Sequence, residues 1–359
     1  MKSRHVWLTL ALIIIVGLIL YLQGQNASQG VLGTISDAYW STQNVEAPEL
    51  AGISGYINTD ENFTLASVRG NVVIVDFWTY SCINCIRTIP HLTSWYEKYA
   101  DAGLVIVGVH TPEFEFEKEY DNVAQSVADF GIEYPVVQDN DYLTWRAYNN
   151  RFWPHKFIID ANGVIRDDVI GEGQYEKTEQ TIRALLEEAG ASLEDVGDIM
   201  PDLTPTTPNT PELYLGYAYA IPRGQNIGNS GGLQLGEIVT YTLPSSIGSH
   251  RVYLSGAWQS TNEYVIAKSN ESVMLLDYYA KNANIVADSN NGAKRVRVML
   301  NGADINESYA GDDVRFDESG AYITIDKPRL YNVVAGEYAN HLLQLVFEEN
   351  VSANAFTFG

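Results

Sequence analysis

The 359-residue chain holds two cysteines, three positions apart in Cys82-Ile83-Asn84-Cys85. No other cysteine exists to build a structural framework, so the pair reacts, binds a metal or is fortuitous. Zinc would need four ligands. His91, His110 and His155 could supplement the pair, but their spacing fits no common zinc motif. Covalent haem attachment needs a histidine directly after the second cysteine, where Ile86 stands. The spacing suits reversible disulfide chemistry instead, with no metal and no cofactor beyond a redox-active Cys82–Cys85 disulfide. At a strand-to-helix junction the two sulfurs take unequal roles. Cys82 would stand at the helix amino end, where unpaired N–H groups and the helix dipole favour a thiolate. It would attack a substrate disulfide, and Cys85, more deeply set, would resolve the mixed disulfide.

The flanking pattern supplies that junction. Val72 to Phe77 is a near-continuous apolar run, as in a strand buried on both faces. After the cysteines, Leu92, Trp95, Tyr96 and Tyr99 recur at helical spacing. Leu104 to Val109 predicts a second buried strand. Val123, Val127 and Phe130 predict a helix ended by Gly131, and Tyr134 to Val137 a short strand. Lys156–Ile159 and Val164–Ile170 flank the turn pair Asn162-Gly163, which predicts a hairpin. Ile182, Leu185, Leu186 and Ala189 form a last helical stripe before Gly190. Residues 47–190 therefore read as an α/β domain, a mixed sheet covered by helices.

Residues 191–212 carry Pro201, Pro205, Pro208 and Pro211, which marks a semi-stiff linker. From 213 to 359 the period becomes two, as in Arg295-Val296-Arg297-Val298, Tyr322-Ile323-Thr324-Ile325 and Leu343-Gln344-Leu345-Val346-Phe347, with Phe356 and Phe358 on one face. Several short strands with Gly and Asn turns predict an all-β sandwich, jelly-roll-like.

Lys2 and Arg4 precede an apolar run, Val6–Leu22, just long enough to span a bilayer as a transmembrane helix; a secretory signal peptide has similar flanks, but no convincing small-x-small cleavage site follows the run, which favours an uncleaved anchor. Residues 1–5 would be cytoplasmic and 23–46 a Gln-, Ser- and Gly-rich tether. Lys and Arg are absent from Val6 through Val68, so the positive-inside rule predicts a single-pass membrane protein with its bulk outside the cytoplasm. A net charge of −23 argues against nucleic acid as a partner.

The segment Val75-Asp76-Phe77-Trp78-Thr79-Tyr80-Ser81-Cys82-Ile83-Asn84-Cys85 resembles the active-site segment of the DipZ-type branch of the TlpA/ResA-like thioredoxins. The likeness continues through Gly108-Val109-His110-Thr111-Pro112-Glu113-Phe114, Asp139-Asn140-Asp141-Tyr142, Trp145-Arg146-Ala147-Tyr148, Arg151-Phe152-Trp153-Pro154 and Gly171-Glu172-Gly173, and reaches Ala355-Phe356-Thr357-Phe358-Gly359. It implies a thioredoxin fold for 47–190 and a carbohydrate-binding-module-like β-sandwich for 213–359. That family places a multi-span CcdA-like electron-carrying domain before this part, where a single apolar run stands here. A CcdA-like membrane protein is thus an expected electron donor.

The resemblance also implies roles for individual residues. Asp76, six positions before Cys82, matches a buried acid whose raised pKa lets it take the proton of Cys85; the plainer reading is a hydrogen-bonded strand-end acid. Pro154 matches a cis-proline that presents backbone groups to a substrate chain, or is an ordinary turn proline. Trp78 and Trp153 would line the substrate groove or pack in the core. His110 and Glu113 follow the second buried strand as Cys82 follows the first. If those strands are parallel, both loops open at one sheet edge, where Glu113 would shuttle protons or simply cap its loop.

The expected activity is thiol–disulfide exchange on protein disulfides and thiols. Reduction is favoured because Ile83-Asn84 puts no cation between the cysteines. Two other activities are open. Thr79-x-x-Cys82 echoes a thiol peroxidase motif, although Val75 occupies the usual proline position. Twelve of the 23 tyrosines lie after residue 212, with Trp258, and exposed aromatics there could stack on a glycan.

Overall fold

A computed structural model of the chain describes residues 44–359, apart from 194–196, 203, 208 and 290. The run Val6–Leu22 and most of the tether lie outside the described residues. Among the described residues no helix is long and apolar enough to cross a membrane.

The described chain parts into two compact units that do not follow chain order. One takes in residues up to Phe77, His91–Val109 and Glu133–Asp202; the other takes in Trp78–Pro90, His110–Ile132 and the chain after Asp202. Phe114 shows why the second unit gathers a distant piece of chain. It is buried in the same apolar cluster as Leu213, Tyr214 and Phe356.

The first sheet has six strands in the order β1 (Gly55–Ile57), β4 (Val136–Gln138), β3 (Leu104–His110), β2 (Val72–Trp78), β5 (His155–Ile159) and β6 (Ile165–Ile170). All seven residues of β2 are buried, Asp76 among them, as in a strand at a sheet centre covered on both faces. β2 and β3 run parallel. At their starts Val72 N–H donates to the Gly103 carbonyl, and at their ends Thr111 N–H donates to the Trp78 carbonyl, each at 3.0 Å. β5 is antiparallel to both β2 and β6, and the β5–β6 turn has Gly163 at φ +79°. The long helix α1 (Ile83–Tyr99) buries Leu92, Trp95 and Tyr99, one face of the predicted stripe. Helix α2 (Tyr120–Asp129) is followed by Gly131 at φ +65°, and α4 (Tyr175–Glu188) by Gly190 at φ +96°. A short helix, α3 (Leu143–Ala147), has too few residues to show a period; buried Asp139 holds its start by accepting from Thr144 and Trp145 N–H. This mixed sheet with its helices is thioredoxin-like.

Among the described residues after Asp202 the regular structure is β apart from the single turn α5 (Tyr217–Ala220). Eleven strands share one hydrogen-bonded network. Its backbone is two long antiparallel strands, β11 (Ser272–Ser289) and β16 (Arg329–Phe347), where the sequence predicts only short ones. Register shifts between Ala280 and Asn282 and between Ala283 and Asn284 explain the difference. At the first irregularity β16 runs two residues ahead of β11 and at the second one residue, so the in–out alternation is interrupted and a continuous strand reads as separate short ones. β11 also changes neighbour along its length. Val273–Asp277 pairs with β9 (Arg251–Ser260), and Ala283–Ser289 with β17 (Val351–Phe358). Period two holds locally: Val296 and Val298, Ile323 and Ile325, and Leu343, Leu345 and Phe347 are all buried.

Candidate active site

The cysteines sit where β2 gives way to α1. The Cys82 carbonyl accepts the N–H of Ile86 at 3.0 Å, the first helical bond, which makes Cys82 the N-cap residue of α1. Cys82 is part-exposed and Cys85 is buried at 1% exposure. One sulfur can meet a macromolecular partner while the other is reached only from within, as sequential attack and resolution require. Inside the first turn, Arg87 donates to the Asn84 side-chain oxygen at 2.8 Å.

Asp76 lies on β2 with 2% exposure, and its Oδ1 finds no hydrogen-bond partner among the described residues. Burial pushes its carboxyl up to about 7, partly offset by the attraction of Lys156. Lys156 is its cross-strand neighbour on β5 and is itself fully buried. The Lys156 ammonium donates to the Gly171 carbonyl at 3.0 Å and lies 5.7 Å from the Tyr175 ring centre. Nothing in the sequence singled out Lys156, which simply begins an apolar strand. Immediately before that strand, the peptide joining Trp153 to buried Pro154 is cis. Trp153 is half-buried, its ring centre 4.3 Å from that of Trp145.

His110 ends β3, so the parallel pairing of β2 and β3 opens its loop at the same edge as the cysteine loop. Its ring is fully buried, edge-on to Trp78 at 5.1 Å and stacked with Tyr80 at 5.6 Å. Nε2 lies 3.4 Å from Thr79 Oγ1. Burial lowers His110 to about 3, so the ring is neutral at physiological pH and cannot serve there as a cationic acid. Trp78 is buried at 1% exposure and so contributes packing at this point.

Glu113 is drawn toward the β-rich part of its unit. Its Oε1 accepts the Tyr214 hydroxyl at 2.6 Å, and its carbonyl accepts the Tyr219 hydroxyl at 2.6 Å. Glu212 lies 3.0 Å from the same Tyr214 oxygen. Burial, then the Glu212 charge, push Glu113 up to about 8. The loop it begins is organised by Glu117, a residue the sequence reading passed over. Glu117 is fully buried. Its Oε1 accepts from Ser81 Oγ at 2.6 Å and Ser81 N–H at 3.3 Å, and its Oε2 from the N–H groups of Glu113 at 2.6 Å and Phe114 at 2.9 Å. One carboxylate thus clamps the residue before Cys82 to the loop after β3. Burial pushes Glu117 up, against the pull of those donors. In Glu113-Phe114-Glu115-Phe116-Glu117 the acids alternate with phenylalanines, and no local signal marks which acid is inside. Among the described residues no three His, Cys, Asp or Glu side chains are grouped to hold a metal ion.

Two family models match the chain: the AhpC/TSA family over residues 44–168 and the thioredoxin-like C-terminal domain over 210–359. Protein DipZ of Mycobacterium tuberculosis is 36% identical over 341 residues, covering 93% of this chain and 46% of DipZ. The chain is thus similar to DipZ along nearly its whole length. It spans a little under half the length of the DipZ proteins it matches. Thiol-disulfide oxidoreductase YkuV of Bacillus subtilis is 26% identical over 142 residues, 39% of this chain and 94% of YkuV. Thiol-disulfide oxidoreductase ResA of Geobacillus kaustophilus is 28% identical over 121 residues, 34% of this chain and 67% of ResA.

Proposed function

We propose that this DipZ-type chain is an extracytoplasmic thiol–disulfide oxidoreductase that reduces protein disulfides. The observation that carries the reading is a part-exposed thiol at the N-cap of α1 with a buried thiol three residues further along the helix. The Cys82 thiolate attacks one sulfur of a client disulfide. A bond forms between Cys82 and that sulfur, the client S–S bond breaks, and the second client sulfur leaves as a thiolate that takes up a proton. Cys85 then gives its proton to Asp76 and attacks the Cys82 sulfur. The intramolecular disulfide forms, the bond between Cys82 and the client breaks, and the first client sulfur leaves as a thiolate that takes the proton back from Asp76. Two electrons have passed from the dithiol to the client. Asp76 suits the proton step because a carboxyl poised at about 7 can accept and return a proton near neutral pH. Trp153 and Pro154 form the client groove in this reading.

The next cycle needs a fresh pair of electrons, and a CcdA-like membrane thiol carrier is the donor we assign. Val6–Leu22 is the single-pass anchor that holds the enzyme beside it, with the catalytic part outside the cytoplasm. A Cys85→Ser variant should accumulate client proteins as mixed disulfides on Cys82, released by dithiothreitol. A variant that captures no protein in cells, while its Cys82 still reacts with a small disulfide, would count against a protein-disulfide role. Equilibration of the full chain with glutathione gives the direction of flow. A potential near that of a strong oxidant such as DsbA, about −120 mV, would reverse it.

A further inference from the structure

Within the second compact unit a cleft of about 630 Å³ opens beside the cysteine turn. Tyr80 and Ile86 form its wall on that side, two residues before and four after Cys82. Ile86 is the residue whose N–H caps onto the Cys82 carbonyl, so the wall begins one helical turn from the nucleophile's own backbone. Tyr80 is held firmly. Its ring stacks on His110, and the next residue, Ser81, is gripped by Glu117. The far wall comes from strand connections of the β-rich part, around Asp312 and Asp326. The volume falls in the range of sites that enclose a ligand of several groups, more than a lone disulfide needs.

Its charge is lopsided. The lining carries Asp129, Asp312, Asp313 and Asp326 against Lys327 and Arg329. Lys327 is paired with Asp129 at 3.0 Å, and Arg329 with Asp313 at 2.8 Å. Asp312 and Asp326 are exposed and form no salt bridge among the described residues; Asp326 accepts from the Tyr331 hydroxyl at 3.1 Å and shares the field of Arg329, which Asp313 already engages. We propose that this cleft seats the polypeptide that flanks the client's disulfide and selects segments with lysine or arginine within a few residues of the reacting cysteine. The inference rests on the thiol–disulfide reading and adds its substrate class.

The test uses the full reduced chain with two synthetic peptide disulfides of one sequence, flanked in one by lysines and in the other by glutamates. The ratio of their kcat/KM values is the readout, because a ratio is insensitive to a general loss of activity. The lysine peptide should be preferred about tenfold at low ionic strength, with the preference shrinking in high salt. The double variant Asp312→Asn/Asp326→Asn should lower that ratio about fivefold. Glu307→Gln/Glu318→Gln, which removes as much charge outside the cleft, should leave the ratio near wild type. Equal ratios in wild type and Asp312→Asn/Asp326→Asn, or an equal drop in both double variants, would overturn the proposal by showing that the cleft is unused or that the preference is the diffuse field of an acidic chain. Uncharged hydroxyethyl disulfide separates the two levels of the argument. Failure of the wild-type protein to reduce it would overturn the thiol–disulfide reading itself, and the cleft assignment with it.

Discussion

Replacing Asp76 by Asn removes a carboxyl that burial holds at about 7 instead of 3.8. In the unfolded chain the acid ionises near 3.8, whereas in the fold it keeps its proton until about 7. Between those values the unfolded state sheds a proton that the folded state retains. Rising pH therefore favours unfolding by about 1.4 kcal/mol per pH unit, and the contribution present below 3.8 is lost as pH passes 7. Over the whole interval the loss is about 4 kcal/mol, a large fraction of a typical domain's stability. Asparagine has nearly the same shape and never ionises, so Asp76→Asn should match wild type near pH 4 and exceed it by about 4 kcal/mol at pH 8 to 9. Attraction to Lys156 is already contained in that value of 7 and does not offset the gain further. Urea unfolding of both full-length proteins, followed by tryptophan fluorescence from pH 4 to 9, reads the difference directly. The resolution of mixed disulfides should slow in the same variant. Stability curves that stay parallel within about 1 kcal/mol across the range would refute the assignment of a buried acid titrating near neutrality.

Two further outcomes follow from the buried acids in the loop after β3. Glu117→Gln keeps one acceptor oxygen but turns an NH₂ group toward two donors, so about 3 kcal/mol of stability should go, from charge-assisted bonds of roughly 1.5–3 kcal/mol each; denaturation showing under 1 kcal/mol would mean that the clamp is slack. Tyr214→Phe leaves Glu113 and Glu212 without the hydroxyl between them. Burial, then the Glu212 charge, raise Glu113 to about 8, so wild-type stability should decline as pH rises toward 8, and the variant's deficit of about 1–3 kcal/mol should be larger at pH 9 than at pH 5. A deficit independent of pH would show that the acids do not titrate there.

Much of the site was legible in the chain because its scaffold is local. A near-continuous apolar run, interrupted by Asp76, becomes β2, and Leu92, Trp95 and Tyr99 mark a helix at whose start the cysteines stand. The unequal exposure of Cys82 and Cys85 follows from three residues of helix on a sheet. The Asn162-Gly163 turn and the end of α2 at Gly131 are likewise set by neighbours in sequence. What only the tertiary structure decided is which acid is buried and what it meets. Glu117 finds Ser81 across 36 positions and Glu113 finds Tyr214 across 101, so neither partner leaves a trace in any local pattern. Lys156 faces Asp76 through sheet register alone. The same holds for β11 and β16, whose bulges hide their length from a period-two reading. Periodicity and caps are short-range and are written in the chain. Desolvation, and the pKa shifts it produces, depend on what packs over a residue, and distant parts of the chain supply that cover.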